Sequence, residues 1–514
     1  MTESGKIYDV AVVGFGPSGA VAAGLLGGLG LSTYVCDRVR EVYDKPRAVA
    51  LDHEIMRVFQ QLGVVQKILP YIEPFTDSCY YGVDGQLIRR MSTVAPPYPL
   101  GYPPSLVFTQ PPVEAILREH AQGLATVKVD LGTALTGLQQ DDSGVALQLQ
   151  GDDGVTRGVR ARYVIACDGA SSKVRDLVGI RLEDLGFDEP WLVVDVQVKP
   201  RGLAKLPRES VQYCEPARPS SFIIGPGNHR RWEISINPGE DPKELVTPAG
   251  TWRLLSRWIT PEDAVLWRQA SYRFHALVAD QWRAGRVFVA GDAAHQQPPF
   301  LGQGMCQGVR DVTNLAWKLE AVLRQGAPDD LLDTYGAERK GHVAALTTRI
   351  KHVGQLIGER DVARARERDA RLLAECGGVV RPTPRQELQP ALAQGLIDTP
   401  AHPANGTLFP QPWILRDGAP RRMDELVGTG WRLVLRDRAA MAFAAEALPA
   451  GVQVLHLGAP AFTETEGVLA AWFARHDCAA ALVRPDHYVH GVAANAAQLA
   501  AMLEQLKPRI KRHA

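Results

Sequence analysis

The sequence predicts an α/β protein with a Rossmann-like dinucleotide-binding core, an inserted, mostly antiparallel sheet and a small C-terminal β-α-β unit. Three observations carry this. A short apolar run, IYDVAVV at 7–13, leads into GFGPSG and the small-residue stretch AVAAGLLGGLG. Two further apolar runs end in an acid beside a glycine, Asp168-Gly169 and Gly291-Asp292. Between these runs lie VQYCEP, SSFIIGP and RRWEISI, which read as strands of a separate sheet.

The bulk numbers bound the possibilities. A chain of 514 residues is too long for one ordinary domain, and 46% hydrophobic with 22% charged residues suits a large buried core. Acidic and basic residues number 57 each, so no polyanion bias exists and nucleic acid is not an expected partner. No apolar run approaches the roughly 20 residues that span a bilayer, and MTESGKIYDVAVVG is not a secretion signal. Seven scattered cysteines without a C-x-x-C pair point to reduced thiols in the cytoplasm and to no metal site.

Taken in order, IYDVAVV has the continuous apolar character of a strand buried on both faces. In the turn that follows, Gly14 permits the bend, Gly16 lets backbone approach a pyrophosphate, and Gly19 allows close helix–strand packing. The helix start then offers N–H groups and a positive dipole end to phosphates, and Asp37, 23 residues after Gly14, can accept from ribose hydroxyls. Asp168, at the end of the second run, is either an ordinary turn residue or an anchor for Arg175 beside a cofactor. After the third run, Pro298-Pro299 stiffens the chain, while Gly302 and Gly304 bare the backbone around Gln303 and Met305. The helix expected over 305–323 would present its positive end there, which suits the negative N1/O2 edge of a reduced flavin. A plain strand-to-helix connection is the alternative.

The expected division assigns 1–69, 109–185 and 276–380 to the core, and 70–108 and 186–275 to the inserted sheet. A Pro-rich linker occupies 381–413, and 414–514 forms the last unit, with strands at 430–437, 452–458 and within 480–493.

With these residues in place, the chain resembles the single-component FAD-dependent aromatic hydroxylases of the para-hydroxybenzoate hydroxylase type, in particular the 3-(3-hydroxyphenyl)propionate hydroxylase branch. The resemblance rests on GFGPSG, KPRAVALDHEIMRVFQQLGV, FTQPPVEAILREHA, CDGASSKVR, FHALVADQWRAGRVFVAGDAAH and PPFLGQGMCQGVRDVTNLAWKL. It implies an FAD-binding Rossmann-like core, an antiparallel substrate-domain sheet and a thioredoxin-like C-terminal domain, here without C-x-x-C. It also implies FAD as cofactor and NADH or NADPH as a transient co-substrate, for which no second G-x-G-x-x-G is present. Gly14, Gly16 and Gly19 would hold the pyrophosphate and Asp37 the ribose. Arg47 would lie by the flavin, Gln110 and Asp292 by the ribityl chain, and Asp168 where the nicotinamide approaches. Gly302, Gln303, Gly304 and Met305 would face the ring edge.

The implied reaction uses NAD(P)H and O2 to hydroxylate a phenolic ring through a flavin C4a-hydroperoxide, with a hydroxyphenylpropionate or similar phenol as substrate. A polycyclic phenol and a catalytically idle flavin binder are the competing readings, and a homodimer is left open. For the substrate cavity the sequence offers Gln212, Phe222, Trp232 and His295, with Tyr213, Tyr272 and His53 as groups that could promote phenol ionisation. A propionate would require a cation from among Arg47, Arg89, Arg90 and Arg231. Aromatics at strand spacing and histidines beside helices also serve as ordinary core groups.

Overall fold

The computed structural model describes residues 6–399, 401–436, 448–449, 451–459 and 462–510. Residue 437, the end of one expected C-terminal strand, lies outside them. The first apolar run is the strand Ile7–Val13, central in a parallel array. Thr156–Ala166 and Thr33–Asp37 flank it, with Val287–Val289 and Val127–Leu131 beyond. Its residues 8–13 are buried on both faces, as the unbroken apolar run requires. The helices Pro17–Gly28 and Gly304–Arg324 cover this sheet and share its core, with Val12, Val35, Ile165, Val309 and Leu315 all fully buried.

The second sheet has nine strands and is mainly antiparallel. The runs VQYCEP, SSFIIGP and RRWEISI supply Ser210–Tyr213, Ser220–Ile224 and His229–Ser235. Two long strands, Leu182–Val198 and Ala264–Ala279, pair across most of their length and form the backbone of this sheet. The 70–108 stretch contributes Ser78–Tyr81 and Leu87–Ser92. One face packs Trp191, Val193 and Phe274 against Phe300 and Leu301, just before the Gly302 turn. The other face packs Leu192, Val194, Phe222 and Trp232 under Trp258.

The Pro-rich stretch is more than a tether. Pro382–Pro384 adds a parallel strand to the sheet edge beside Leu87–Ser92, and Arg385–Leu388 forms a short 3-10 turn behind it. Proline is tolerated there because an edge strand needs hydrogen bonds on one side only. The C-terminal unit has a four-stranded sheet in which Arg432–Leu435 pairs in parallel with Gln453–His456 and antiparallel with Ala480–Val483, followed by Val489–Ala493. The helix Ala496–Ile510 covers it.

Buried ion pairs fasten this unit to the rest. Arg57, on the helix His53–Gln61, and Arg432 both grip Asp424, at 2.5 and 2.7 Å. Arg484 bridges Asp486 and Glu338 at 2.6 and 2.7 Å, and Lys318 reaches the same Glu338 at 2.7 Å. Burial alone would raise Glu338, but Arg484 and Lys318 outweigh it and hold the carboxyl well below its ordinary range. Removing one partner would strand a charge in the interior, a loss of about 3–5 kcal/mol.

Four histidines are buried in uncharged form. Burial pushes His53 and His490 down to about 4 and lowers His342 and His487 well below the ordinary value. An unfolded chain protonates such groups near about 6.5, so below that pH the unfolded state binds more protons than the native one. These groups should leave stability unchanged above about pH 6.5. Stability should then fall as pH drops towards 4, by up to about 1.4 kcal/mol per histidine per pH unit. Denaturant midpoints measured across this window test it, and a flat midpoint would contradict neutral burial.

Candidate functional site

The glycine turn, the Asp168 strand end and the Gly291–Gly304 segment are remote in sequence, and the structure brings them into contact. Gly14 has φ +96°, and a Cβ there would lie 2.3 Å from the Cys167 carbonyl oxygen. A Cβ on Gly19 would lie 1.9 Å from the Gly14 oxygen. Gly308, on the long helix Gly304–Arg324, packs against Ser18 so closely that a Cβ would sit 2.2 Å from the hydroxyl oxygen. The same hydroxyl lies 2.8 Å from where a Cβ on Gly291 would stand. Small residues therefore set the distance between the two helix starts.

Both helix starts remain open. Gly16 and Gln303 are the N-cap residues, neither makes a side-chain cap, and neither first turn contains an acid. Their first N–H groups are left to an external acceptor. A Cβ on Gly16 or Gly304 would meet nothing within 4 Å, so free space lies above both turns. Gly302 has φ +64° and sits against Ala50.

The acids divide into engaged and free. Asp37 accepts from Phe15 N at 2.6 Å and Val39 N at 2.8 Å, which fixes the glycine turn. Asp168 accepts from the Ser172 hydroxyl at 2.5 Å and Val174 N at 3.1 Å, and burial raises its carboxyl. Arg175 then reaches the Ala293 carbonyl at 3.2 Å. Asp292 differs: no hydrogen-bond or ion-pair partner is found for its side chain among the described residues. Its carboxylate is open to the cleft yet ringed by protein at longer range. That enclosure raises its carboxyl, opposed by His295 and Arg47. Asp311 orients this turn by accepting from Gly291 N at 2.9 Å.

A dinucleotide carrying an isoalloxazine fits this chemistry: two unfilled positive helix ends, backbone that can be approached closely, and one free carboxylate for hydroxyls. Gln110 is engaged at both ends, accepting from Arg47 N and Ala48 N at 3.1 and 2.6 Å and donating to Glu114 at 3.0 Å. It therefore holds the 47–48 backbone, and the Arg47 side chain is exposed beside Tyr43. Met305 packs at the edge of the core, one residue into the long helix.

The proposed substrate residues separate by sheet face. Gln212 lies on the face towards Phe300 and accepts from the Ser221 hydroxyl at 2.5 Å. Tyr272 is on that face too, in contact with Arg268 and 39% exposed. Three expectations need correction. Phe222 and Trp232 are cross-strand partners on the opposite face, their rings 4.9 Å apart in the core under Trp258. Tyr213 points the same way and accepts from Trp258 Nε1 at 3.1 Å. Strand alternation turns all three away from the glycine turns, so they serve packing.

His295 is likewise committed, paired to Asp311 at 2.8 Å and stacked on Trp282. Arg231 binds Asp195 at 2.7 Å and the Arg47 carbonyl at 2.8 Å, so it ties the sheet to the 46–47 loop. Arg90 is bound to Asp77 and Glu209, and Arg89 lies over Tyr80.

His53 lines a partly open cavity of about 130 Å³ beside Leu301 and Gln303. Arg310 forms one wall, paired to Asp52 and, at 2.5 Å, to Glu54, and it donates to Gln303 Oε1 at 2.9 Å. Arg385, Gln386 and Gln389 complete it from the Pro-rich segment. Sequence reading missed Asp52 and Arg310, although Asp52 before an apolar helix is an N-cap signal and caps Glu54 N and Ile55 N. Nothing local in RPTPRQELQP marks Arg385.

Comparison with known proteins agrees with this geometry. The family profile described as FAD binding domain matches residues 7–350, and one described as HcaD C-terminal domain matches 406–509. The chain is 39% identical to a Rhodococcus jostii (strain RHA1) protein named "Probable NADH-specific resorcinol 4-hydroxylase", over 98% of this chain and 95% of that one. It is 32% identical to a 3-(3-hydroxy-phenyl)propionate/3-hydroxycinnamic acid hydroxylase of Burkholderia cenocepacia (strain HI2424), over 94% and 93%. Aklavinone-11 hydroxylase, solved with FAD and aklavinone, superposes with a TM-score of 0.79 at 25% identity, over 99% of this chain and 100% of that one.

Two glycines of the turn, Gly16 and Gly19, should fail differently. Gly19→Ala places a methyl against the Gly14 carbonyl and should lower the thermal midpoint of flavin-stripped protein. Gly16→Val meets open space and should leave the unfolding free energy within about 0.5 kcal/mol of wild type while abolishing FAD binding. Calorimetric titration of both variants with FAD checks this. A Gly16→Val protein that loads FAD normally would refute the phosphate reading.

Proposed function

The chain belongs to the FAD-binding-domain family of aromatic hydroxylases, and from that premise we propose that it uses NADH and O2 to hydroxylate a single-ring phenol. The observation that carries the substrate class is the cavity of about 130 Å³ beside Leu301 and Gln303. A dry cavity of about 150 Å³ accepts benzene, so the space suits one ring with small substituents. A polycyclic phenol, such as the aklavinone bound by the structural relative, is too large for it.

In this reading, Gly14, Gly16 and the helix start behind them receive the pyrophosphate, and Asp37 holds the turn while remaining available to the ribose. Asp292 accepts from ribityl hydroxyls, and the backbone of Gly302, Gly304 and Met305 faces the flavin ring edge. Asp168 and Arg175 line the side from which the nicotinamide approaches. Bound FAD, once reduced by NADH, supplies the activation of O2. The Trp191–Phe274–Phe300 cluster packs with Leu301 and Leu346, which form the apolar part of the cavity wall. His53, kept uncharged by burial, can accept a hydrogen bond from a ring hydroxyl at the cavity wall. The strand order of the last unit supports a thioredoxin-like domain that serves docking, since it carries no dithiol. Seven unpaired cysteines support a cytoplasmic setting.

The purified protein should be yellow, and resorcinol should stimulate its NADH oxidation more than 3-(3-hydroxyphenyl)propionate or a polycyclic phenol. One oxygen atom of the product should derive from O2. A preference for the polycyclic phenol would overturn the single-ring reading. Asp292→Ala removes an ionised acceptor worth about 1.5–3 kcal/mol, so retained FAD should fall about tenfold or more. Flavin-to-protein absorbance ratios after gel filtration measure it.

A further inference from the structure

The Pro-rich segment delivers a cation to the cavity, and the geometry points to Arg385 as the residue that receives the phenolic oxygen of the substrate. The inference rests on the reaction class proposed above.

Arg385 lies deep in the protein, yet its side chain remains partly accessible and lines the cavity. Its guanidinium donates to the Leu301 carbonyl at 2.9 Å and, at a long 3.4 Å, to the Ser78 hydroxyl, and it sits 4.3 Å from the Phe75 ring centre. Among the described residues it makes no salt bridge. The other charged groups of the lining do: Asp52 and Glu54 are both held by Arg310, and His53 is neutral. A guanidinium carries five N–H donors and does not lose its proton, so donors remain for a ligand. A buried cation without a carboxylate is costly, and a ligand oxygen that carries negative charge offsets that cost.

The placement suits the chemistry. The Leu301 carbonyl that anchors Arg385 belongs to the turn leading into Gly302–Met305, so the cation is fixed relative to the flavin-facing backbone. A phenolic oxygen bound there would be drawn towards its ionised form by the adjacent positive charge. Ionisation raises electron density on the ring, which is what electrophilic hydroxylation requires. The same contact ranks substrates: a ring with a hydroxyl directly attached meets the guanidinium, and one without it leaves the cation unmatched.

The test uses FAD-loaded protein, with resorcinol as probe and benzene as its hydroxyl-free counterpart. Binding is followed by perturbation of the flavin spectrum, and ionisation of bound resorcinol by ultraviolet difference spectra across pH. In wild type, resorcinol should bind more tightly than benzene and ionise at lower pH than in free solution. Arg385→Met should raise the resorcinol dissociation constant about tenfold or more, leave benzene binding little changed, and abolish the ionisation shift. Arg385→Lys keeps the charge without the planar fork and should retain part of that shift. If Arg385→Met does not load FAD, the lysine variant decides: a shift and affinity equal to wild type in every soluble variant, Arg385→Gln included, overturn the proposal. The two failures are separable. Arg385-dependent phenol binding without oxygen-dependent NADH oxidation would remove the proposed reaction, whereas turnover with binding indifferent to Arg385 would remove Arg385.

Discussion

The site depends on one steric constraint: two helices and two strand ends approach so closely that only glycine backbone fits between them. Ser18 touches Gly308 and Gly291, and Gly14 touches Cys167 and Gly19. These contacts leave both helix starts pointing into the same space with their N–H groups unfilled. Any side chain at these positions would push the starts apart, and the cleft would lose the converging positive ends that a polyanionic cofactor requires. The remaining features are arranged around that fixed spacing. Asp311 ties the Gly291 turn down, Arg339 pairs with Asp311 and His295 hydrogen-bonds to it, and Asp292 is left free at the surface of the cleft.

The second layer of organisation is electrostatic. A chain of hydrogen bonds runs from Tyr488 to Glu54 at 2.9 Å, then through Arg310 to Asp52 and Gln303. It links the C-terminal unit to the cavity wall and to the residue that opens the long helix. Burial and the neighbouring Glu54 push the Tyr488 hydroxyl well above its ordinary value, so it stays a donor. The C-terminal unit thus fixes the start of the helix His53–Gln61 from behind, through Tyr488 and Glu54.

Much of this was legible in the sequence because its signals are local. A glycine turn between a strand and a helix needs only its own neighbours to be read, and the acids at the strand ends follow the same logic. The inserted sheet was also visible as alternating runs. What could not be read was which face of that sheet meets the core. Phe222 and Trp232 alternate as residues facing the glycine turns would, and only the position of Trp258, in the turn after the helix Pro248–Leu255, shows that they pack in the core of the opposite face. The Pro-rich segment misled for a different reason. Its composition reads as a linker, but an edge strand accepts proline, and the sheet next to Leu87–Ser92 had a free edge. His295 and Arg231 looked available only because their partners, Asp311 and Asp195, stand 16 and 36 residues away in sequence.

The placement of Arg484 has a consequence for biosynthesis. Glu338 and Lys318 belong to helices made well before Arg484, which follows Glu338 by 146 residues and pairs with Asp486. A nascent chain on the ribosome therefore carries a flavin module whose interior lacks its final counter-charges until the segment with Arg484 and Asp486 has been made. The C-terminal hairpin closes that interior as a late plug, and a chain interrupted before it would emerge with nearly all of its cofactor cleft encoded but without the keystone that completes it.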